Sequence, residues 1–135
     1  MAQVFQTQVL SMIIEGVFDR FSNLRVALIE GGWTWLPSLM WRIDKDWKGL
    51  RREVPWNVQL PSDYVRQRMK LSLQPIDGPG DEQHLLQIID QLGSDDLLMW
   101  SSDYPHWHQD ELPAGLSEPV RRKILLENAR AFYRL

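Results

Sequence analysis

Three short strand-like segments, separated by stretches with helical periodicity, constrain the fold of this chain most. They are residues 25–30, 70–76 and 96–102, and each one leads into a polar or glycine-rich loop. A mainly apolar run of this length is typical of a strand that is buried on both faces of a parallel sheet. Strands that alternate with helices indicate parallel βαβ units. The sequence therefore predicts an α/β fold with parallel strands and flanking helices.

The remaining segments carry apolar side chains at the three- and four-residue spacing of helices. We predict helices over residues 4–21, from Thr34 to about Glu53, over 61–69, over 81–92 and from Ser117 to the end. Thr34 is expected to cap the second helix, with Pro37 in its first turn. A parallel sheet of three strands has two open edges and covers little core. Either a second copy or another chain completes it, or the chain is a fragment of a larger barrel.

Composition excludes several classes of function. The chain has 135 residues, which is ordinary for one domain, and a formal charge of -3, which argues against nucleic-acid binding. It has no cysteine, which excludes disulfides, thiolate nucleophiles and cysteine-based zinc sites. No signal peptide is apparent, and no apolar run approaches the roughly 20 residues that span a bilayer. We therefore expect a cytoplasmic protein without a membrane partner.

Seven tryptophans are an unusual number for a chain of this length, and five of them fall in one region. These five are Trp33, Trp35, Trp41, Trp47 and Trp56. They could form core and interface, because tryptophan carries a large apolar area, or they could line a ligand pocket. For Trp33, which lies just beyond the first predicted strand, the two alternatives stay open on nearly equal terms.

Candidate chemical groups follow the predicted strands at Glu30, Gln74 and Asp103. In parallel α/β folds the catalytic groups come from the carboxyl ends of the strands. The two carboxylates could bind a divalent metal or act as general bases, or they could cap a helix or pair with an arginine. Asp103 is the strongest candidate for chemistry, because Tyr104, Pro105 and His106 follow it directly.

The other motifs in the sequence are weaker evidence for a functional site. Gly31 and Gly32 allow the backbone to approach a substrate or a neighbouring element, but the chain has no phosphate-binding glycine motif, which disfavours a flavodoxin-like binding domain. His106 and His108 have the i, i+2 spacing of some metal ligands. Alternatively, both are solvent-exposed histidines of a loop. His84 is read as a surface residue of a helix. No GxSxG nucleophile motif is present.

Four blocks of the sequence resemble one known family. They are GVFDRFSNLRV (16–26), EGGWTWLP (30–37), SSDYPHW (101–107) and ENARAFY (127–133). In this order and spacing they are similar to blocks of the amidohydrolase-2 family of metal-dependent hydrolases. That family includes enzymes similar to aminocarboxymuconate-semialdehyde decarboxylase.

The resemblance implies a fold and a site. The family fold is a TIM-type (β/α)8 barrel, and the four blocks belong to its last three βα units, so residues 1–135 are expected to form a single partial-barrel domain. Asp103 matches the aspartate after the final strand, which binds the metal and acts as acid or base. Glu30 stands where the family often has a histidine ligand. Trp33, Tyr104 and His106 would line the substrate pocket. The implied cofactor is a divalent metal, with zinc preferred over manganese or iron.

The resemblance also implies that ligands are missing, because the family's His-x-His motif and a further histidine would lie upstream of Met1. Our leading hypothesis is a C-terminal part or subunit of an enzyme that hydrolyses or nonoxidatively decarboxylates a small organic substrate. It would assemble as a homo-oligomer or with a chain that supplies the N-terminal half of the barrel. The alternative is a non-catalytic, degenerate barrel fragment that serves as a structural or assembly subunit.

Overall fold

Three parallel strands form a single sheet in the computed structural model, which describes residues 2–106 and 110–135. The strands are β1 (Val26–Leu28), β2 (Met69–Ser72) and β3 (Leu98–Met99), with β2 in the centre. Leu71 aligns with Leu28 on one side and with Leu98 on the other. The predicted α/β class and the parallel strand direction are confirmed. The regular strands are shorter than predicted, although the Leu73 N–H still donates to the Met99 carbonyl (2.8 Å).

Helices lie before, between and after the strands. They are α1 (Ala2–Ile14), α2 (Val17–Arg20), α3 (Leu36–Leu50), α4 (Pro61–Arg68), α5 (Glu82–Gln91), α6 (Glu118–Arg122) and α7 (Asn128–Tyr133). A π-helical turn, Lys123–Glu127, joins α6 to α7. A π turn leaves the regular α-helical hydrogen-bond pattern. Here the Ile124 carbonyl accepts a bond from the Trp100 N–H (2.9 Å), which ties the last helical segment to the end of β3.

The prediction of one helix over residues 4–21 is wrong, because the chain turns at Gly16. Gly16 has φ 70°, a left-handed conformation that interrupts the helix between α1 and α2. The indole of Trp56 lies against Gly16 and leaves no room for a Cβ atom. Its N–H donates to the Ile14 carbonyl (2.6 Å) and so satisfies the end of α1.

The predicted cap of the second helix is also wrong. The Thr34 hydroxyl donates to the carbonyl of Asp77 (2.6 Å), in the loop after β2, and α3 begins only at Leu36. Pro37 lies in the first turn, as predicted. The predicted helix over residues 81–92 is confirmed as α5. The Asp81 side chain accepts a bond from the Gln83 N–H (2.8 Å), and Gly93 follows the helix with φ 68°.

The core lies between the helices and one face of the sheet. Its fully buried members include Val9, Leu36, Met40, Val65, Leu71, Leu73, Leu92 and Ile124. Side chains alternate between the two faces of a strand. The core residues Met69 and Leu71 of β2, and Leu73 just beyond it, therefore leave Lys70, Ser72 and Gln74 on the opposite face. None of the described helices has the length and apolar character needed to cross a membrane.

Two polar side chains anchor the outer helices to this core. The buried Asn128 amide donates to the carbonyls of Asp95 and Leu98, both at 2.8 Å, and fixes α7 to β3. Asp19 in α2 accepts bonds from the hydroxyl of Tyr64 and the amide of Asn57. Asp19 in the first sequence block and Asn128 in the last block thus have a structural role.

Candidate active site

Two carboxylates meet where the outer strands of the sheet end. Glu30 follows β1 and Asp103 follows β3, and the neighbouring Asp103 side chain raises the pKa of the Glu30 carboxyl group. Both residues adopt a left-handed backbone conformation, with φ 59° at Glu30 and 55° at Asp103. This conformation is rare outside glycine, and it is concentrated at functional sites. Glu30 and Asp103, the two acids predicted at strand ends, lie at the same, carboxyl-terminal edge of the sheet.

Ser72 connects the site to the central strand, and the sequence did not single it out. The buried Ser72 hydroxyl accepts a bond from the Glu30 N–H (2.9 Å) and donates to the Gln74 carbonyl (2.8 Å). It therefore holds the end of β1 against the end of β2. The available signal was the alternation of Lys70, Ser72 and Gln74 in a segment whose other residues are apolar.

His106 is the third titratable group of the site. Its Nδ1 lies 2.8 Å from Asp103 Oδ2, and its backbone N–H donates to the Asp103 carbonyl (2.9 Å). The hydrogen bond and the negative charge of Asp103 raise the pKa of His106 above its usual value of 6.5, and the charge of Glu30 adds to this. The imidazole is 70 % exposed, whereas the Asp103 side chain is 21 % exposed.

The pKa of Glu30 is raised by its neighbour Asp103. The hydrogen bond to Asp103 is the largest cause of a raised pKa at Glu30, followed by the negative charge of Asp103. The positive charge of His106 opposes the shift. Glu30 therefore keeps its proton to a higher pH than an isolated glutamate does.

The other predicted site residues lie in different environments. Trp33 is fully buried among core residues and donates its indole N–H to the Leu73 carbonyl (3.0 Å), so here it is a core residue and not part of an open cavity wall. Tyr104 is 84 % exposed beside Asp103. Gln74 is buried, and its Oε1 has no hydrogen-bond partner among the described residues. His108 lies outside the described residues.

Gly31 and Gly32 serve close packing with neighbouring elements, which was one of the two predicted alternatives. A Cβ atom on Gly31 would come within 2.8 Å of the Phe5 ring in α1. Gly32 has φ 67°, and the carboxylate of Asp77 occupies the space that a Cβ atom would take. Larger residues at these two positions would displace α1 and the loop after β2, and with them the adjoining Glu30.

The donor set of the described residues does not complete a metal site. No group of three or more histidine, aspartate or glutamate side chains among residues 2–106 and 110–135 is arranged to hold a metal ion. Glu30 and Asp103 offer carboxylate oxygens, which suit divalent metals, but stable sites need more ligands than these two groups. A metal at this position would require ligands from outside the described residues.

The family of the chain follows from comparison with known proteins. The amidohydrolase family model (amidohydrolase-2) matches residues 1–135. The chain belongs to the amidohydrolase-2 family. No curated protein is significantly similar to it in sequence. The family expectation drawn from the four sequence blocks is confirmed.

Solved structures of this family are similar to the chain. They include 5-carboxyvanillate decarboxylase from Sphingomonas paucimobilis (26% identity, TM-score 0.73) and 2,6-dihydroxybenzoate decarboxylase from Rhizobium (25%, 0.72). The alignments cover 96% and 98% of this chain but 39% and 42% of those chains. A third is dihydroxybenzoic acid decarboxylase from Polaromonas sp. JS666, with bound manganese and the inhibitor 2-nitroresorcinol (26%, 0.71), of which 41% is covered.

These comparisons define the fold of the amidohydrolase chain. It spans about two fifths of the length of these solved structures and forms the C-terminal part of a TIM-type barrel. The strand ends that carry Glu30 and Asp103 correspond to the face where barrels of this type have their active sites.

Proposed function

We propose that residues 1–135 form one partial-barrel domain of a cytoplasmic, metal-dependent enzyme that removes a carboxyl group, without oxidation, from a small organic acid. Hydrolysis of an amide-type substrate is the second reaction that the family permits. The observation that carries the proposal is the contact between the Glu30 and Asp103 carboxyl groups at the carboxyl ends of parallel strands. The likeness to three aromatic-acid decarboxylases favours decarboxylation over hydrolysis.

The residues of this chain can hold and move a proton. In nonoxidative decarboxylation the bond to the carboxyl carbon breaks, CO2 leaves, and a proton takes its place on the substrate carbon. The Asp103 carboxyl group lies 2.8 Å from the Nδ1 of His106, so a proton can pass between the two side chains. His106, bonded to Asp103 and 70 % exposed, can return the proton from solvent. Asp103 is thus the proposed acid, and Tyr104 and His106 contact the substrate.

A divalent metal is the proposed cofactor, with Glu30 and Asp103 as two of its ligands. The bound metal would polarise the oxygen atoms of the substrate. Its remaining ligands would come from outside the described residues, from a chain or segment that carries the His-x-His motif. Carboxylate-rich sites suit manganese, and one similar enzyme holds manganese, so manganese and zinc are equally suitable for this site.

Activity assays test this proposal. The chain is assayed alone and together with the N-terminal segment of an amidohydrolase, with manganese or zinc, against dihydroxybenzoates and a panel of amides. We expect CO2 release only from the combination. Asp103→Asn should lower kcat/KM by about 100-fold or more, as loss of an acid–base group does. Asp90→Asn, on the exposed side of α5, is the matched control and should leave activity unchanged.

The results separate the enzyme from the structural alternative. If the combination assembles but converts none of the substrates with either metal, the chain is a non-catalytic barrel fragment. If Asp103→Asn and Asp90→Asn retain equal activity, the site lies elsewhere. Hydrolysis of an amide without CO2 release would favour the second reaction over decarboxylation.

A further inference from the structure

A second cluster of charged side chains lies at the opposite end of the sheet from Glu30 and Asp103. Arg25 precedes β1, Arg68 ends α4, and Lys70 is the second residue of β2. All three line one cavity of about 160 Å³, together with Gln67 and Phe132. A chain with a net charge of -3 thus brings three cations to one small cavity at the amino-terminal ends of its strands.

Neutral contacts fix the two arginines. Arg25 donates to the Ala131 carbonyl (3.1 Å), and its guanidinium carbon lies 5.0 Å from the centre of the Phe132 ring. Arg68 donates to the Ser22 carbonyl, and its Nε is buried without a hydrogen-bond partner among the described residues. These contacts orient the guanidinium groups but do not neutralise them.

Lys70 is half-buried, and no described carboxylate lies within ion-pair distance of Lys70, Arg25 or Arg68. Burial lowers the pKa of Lys70, and the charges of Arg25 and Lys123 lower it further, against the opposing charge of Asp96. Asp96 itself pairs with Lys123 (3.0 Å). The ammonium group is therefore held in an unfavourable place that a bound anion would stabilise.

We propose that this cavity binds a compact oxyanion, either inorganic phosphate or the phosphate group of a small phosphorylated metabolite. Guanidinium groups match the geometry of phosphate oxygens, and a lysine adds a point charge. The amide of Gln67 supplies a further donor. The proposal does not depend on the proposed enzymatic function, because it concerns other residues at the other end of the strands.

Titration calorimetry of the chain with inorganic phosphate and with glycerol 3-phosphate tests the proposal. We expect saturable binding at fixed ionic strength. Lys70→Met, which keeps most of the apolar stem, should raise the Kd about tenfold or more, as loss of a charged hydrogen bond implies. Lys48→Met, on the exposed side of α3, removes the same charge elsewhere and should leave the Kd unchanged. The ligand that binds more tightly identifies the source of the phosphate group.

Two results would overturn the proposal: no saturable binding in the millimolar range, or equal weakening by Lys70→Met and Lys48→Met. The second would indicate an unspecific ionic effect. If Lys70→Met does not fold, the wild-type chain still gives an answer. NMR of its lysine side chains should show the pKa of Lys70 rising when phosphate is added, and an unchanged pKa under saturating phosphate would contradict binding at this cavity.

Discussion

Glu30 and Asp103 combine an unusual backbone with an unusual side-chain contact. Each has a positive φ angle, which in an L-residue costs about 1 kcal/mol or more relative to glycine. Each also places a carboxyl group where it meets the other. The left-handed backbone and the contact between two acidic groups are both unfavourable for stability. Their occurrence at the same residues is typical of a functional site, where the position of a side chain matters more than local stability.

Replacing Glu30 with glycine and with alanine separates the two costs. Both variants lose the carboxyl group, but only glycine relieves the left-handed backbone. Glu30→Gly should therefore be more stable than Glu30→Ala by about 1 kcal/mol in urea unfolding. Equal free energies of unfolding for the two variants would show that residue 30 does not keep its positive φ in solution.

The pKa of His106 reports the bond to Asp103. We expect NMR titration to give a pKa above 6.5 in the wild-type chain and a lower one in Asp103→Asn, because the variant loses the negative charge. The raised folded-state pKa stabilises the fold below pH 6.5, and this contribution is lost as the pH rises through the folded-state value. An unchanged His106 titration in Asp103→Asn would contradict the contact.

At the scale of elements, the site depends on how strands are joined at their ends. The periodicity of apolar residues predicted where strands and helices form, as at residues 81–92. In α5, capping residues next to the helix also determine its ends. The predicted helix boundaries were wrong where a side chain distant in sequence determines the local conformation. The indole of Trp56 donates to the Ile14 carbonyl beside Gly16, and the Thr34 hydroxyl donates to the Asp77 carbonyl. The Trp100 N–H donates to the Ile124 carbonyl in the last helical segment. Such contacts depend on tertiary packing, which the local sequence does not contain.

Ser72 links the ends of β1 and β2 at the site, and we expect its replacement to lower the stability of the fold. Ser72→Ala leaves the Glu30 N–H and the buried Gln74 carbonyl without this partner, so we expect a loss of about 1–3 kcal/mol in stability. Ser11→Ala, in an exposed position of α1, should change stability by less than about 0.5 kcal/mol. Equal effects of the two substitutions would mean that Ser72 does not link β1 to β2.

At the scale of the whole molecule, the chain is a three-strand portion of a barrel. In the sheet of the described residues, β1 and β3 each have a strand neighbour on one side only. The sequence predicted Glu30 and Asp103 as site residues because they follow strands, and the family resemblance added His106. The structure brings the three residues together. The sequence could not predict the core position of Trp33, since an aromatic residue next to a strand end suits a pocket and a core equally well.

The central claim is that Glu30 and Asp103 supply part of a metal site that other residues complete. Manganese binding, measured by electron paramagnetic resonance, tests it most directly, for the chain alone and assembled with an amidohydrolase N-terminal segment that carries His-x-His. We predict weak, substoichiometric binding to the chain alone and tight, stoichiometric binding to the assembly, which Asp103→Asn abolishes. Tight stoichiometric manganese in the chain alone, or in the Asp103→Asn assembly, would contradict the claim.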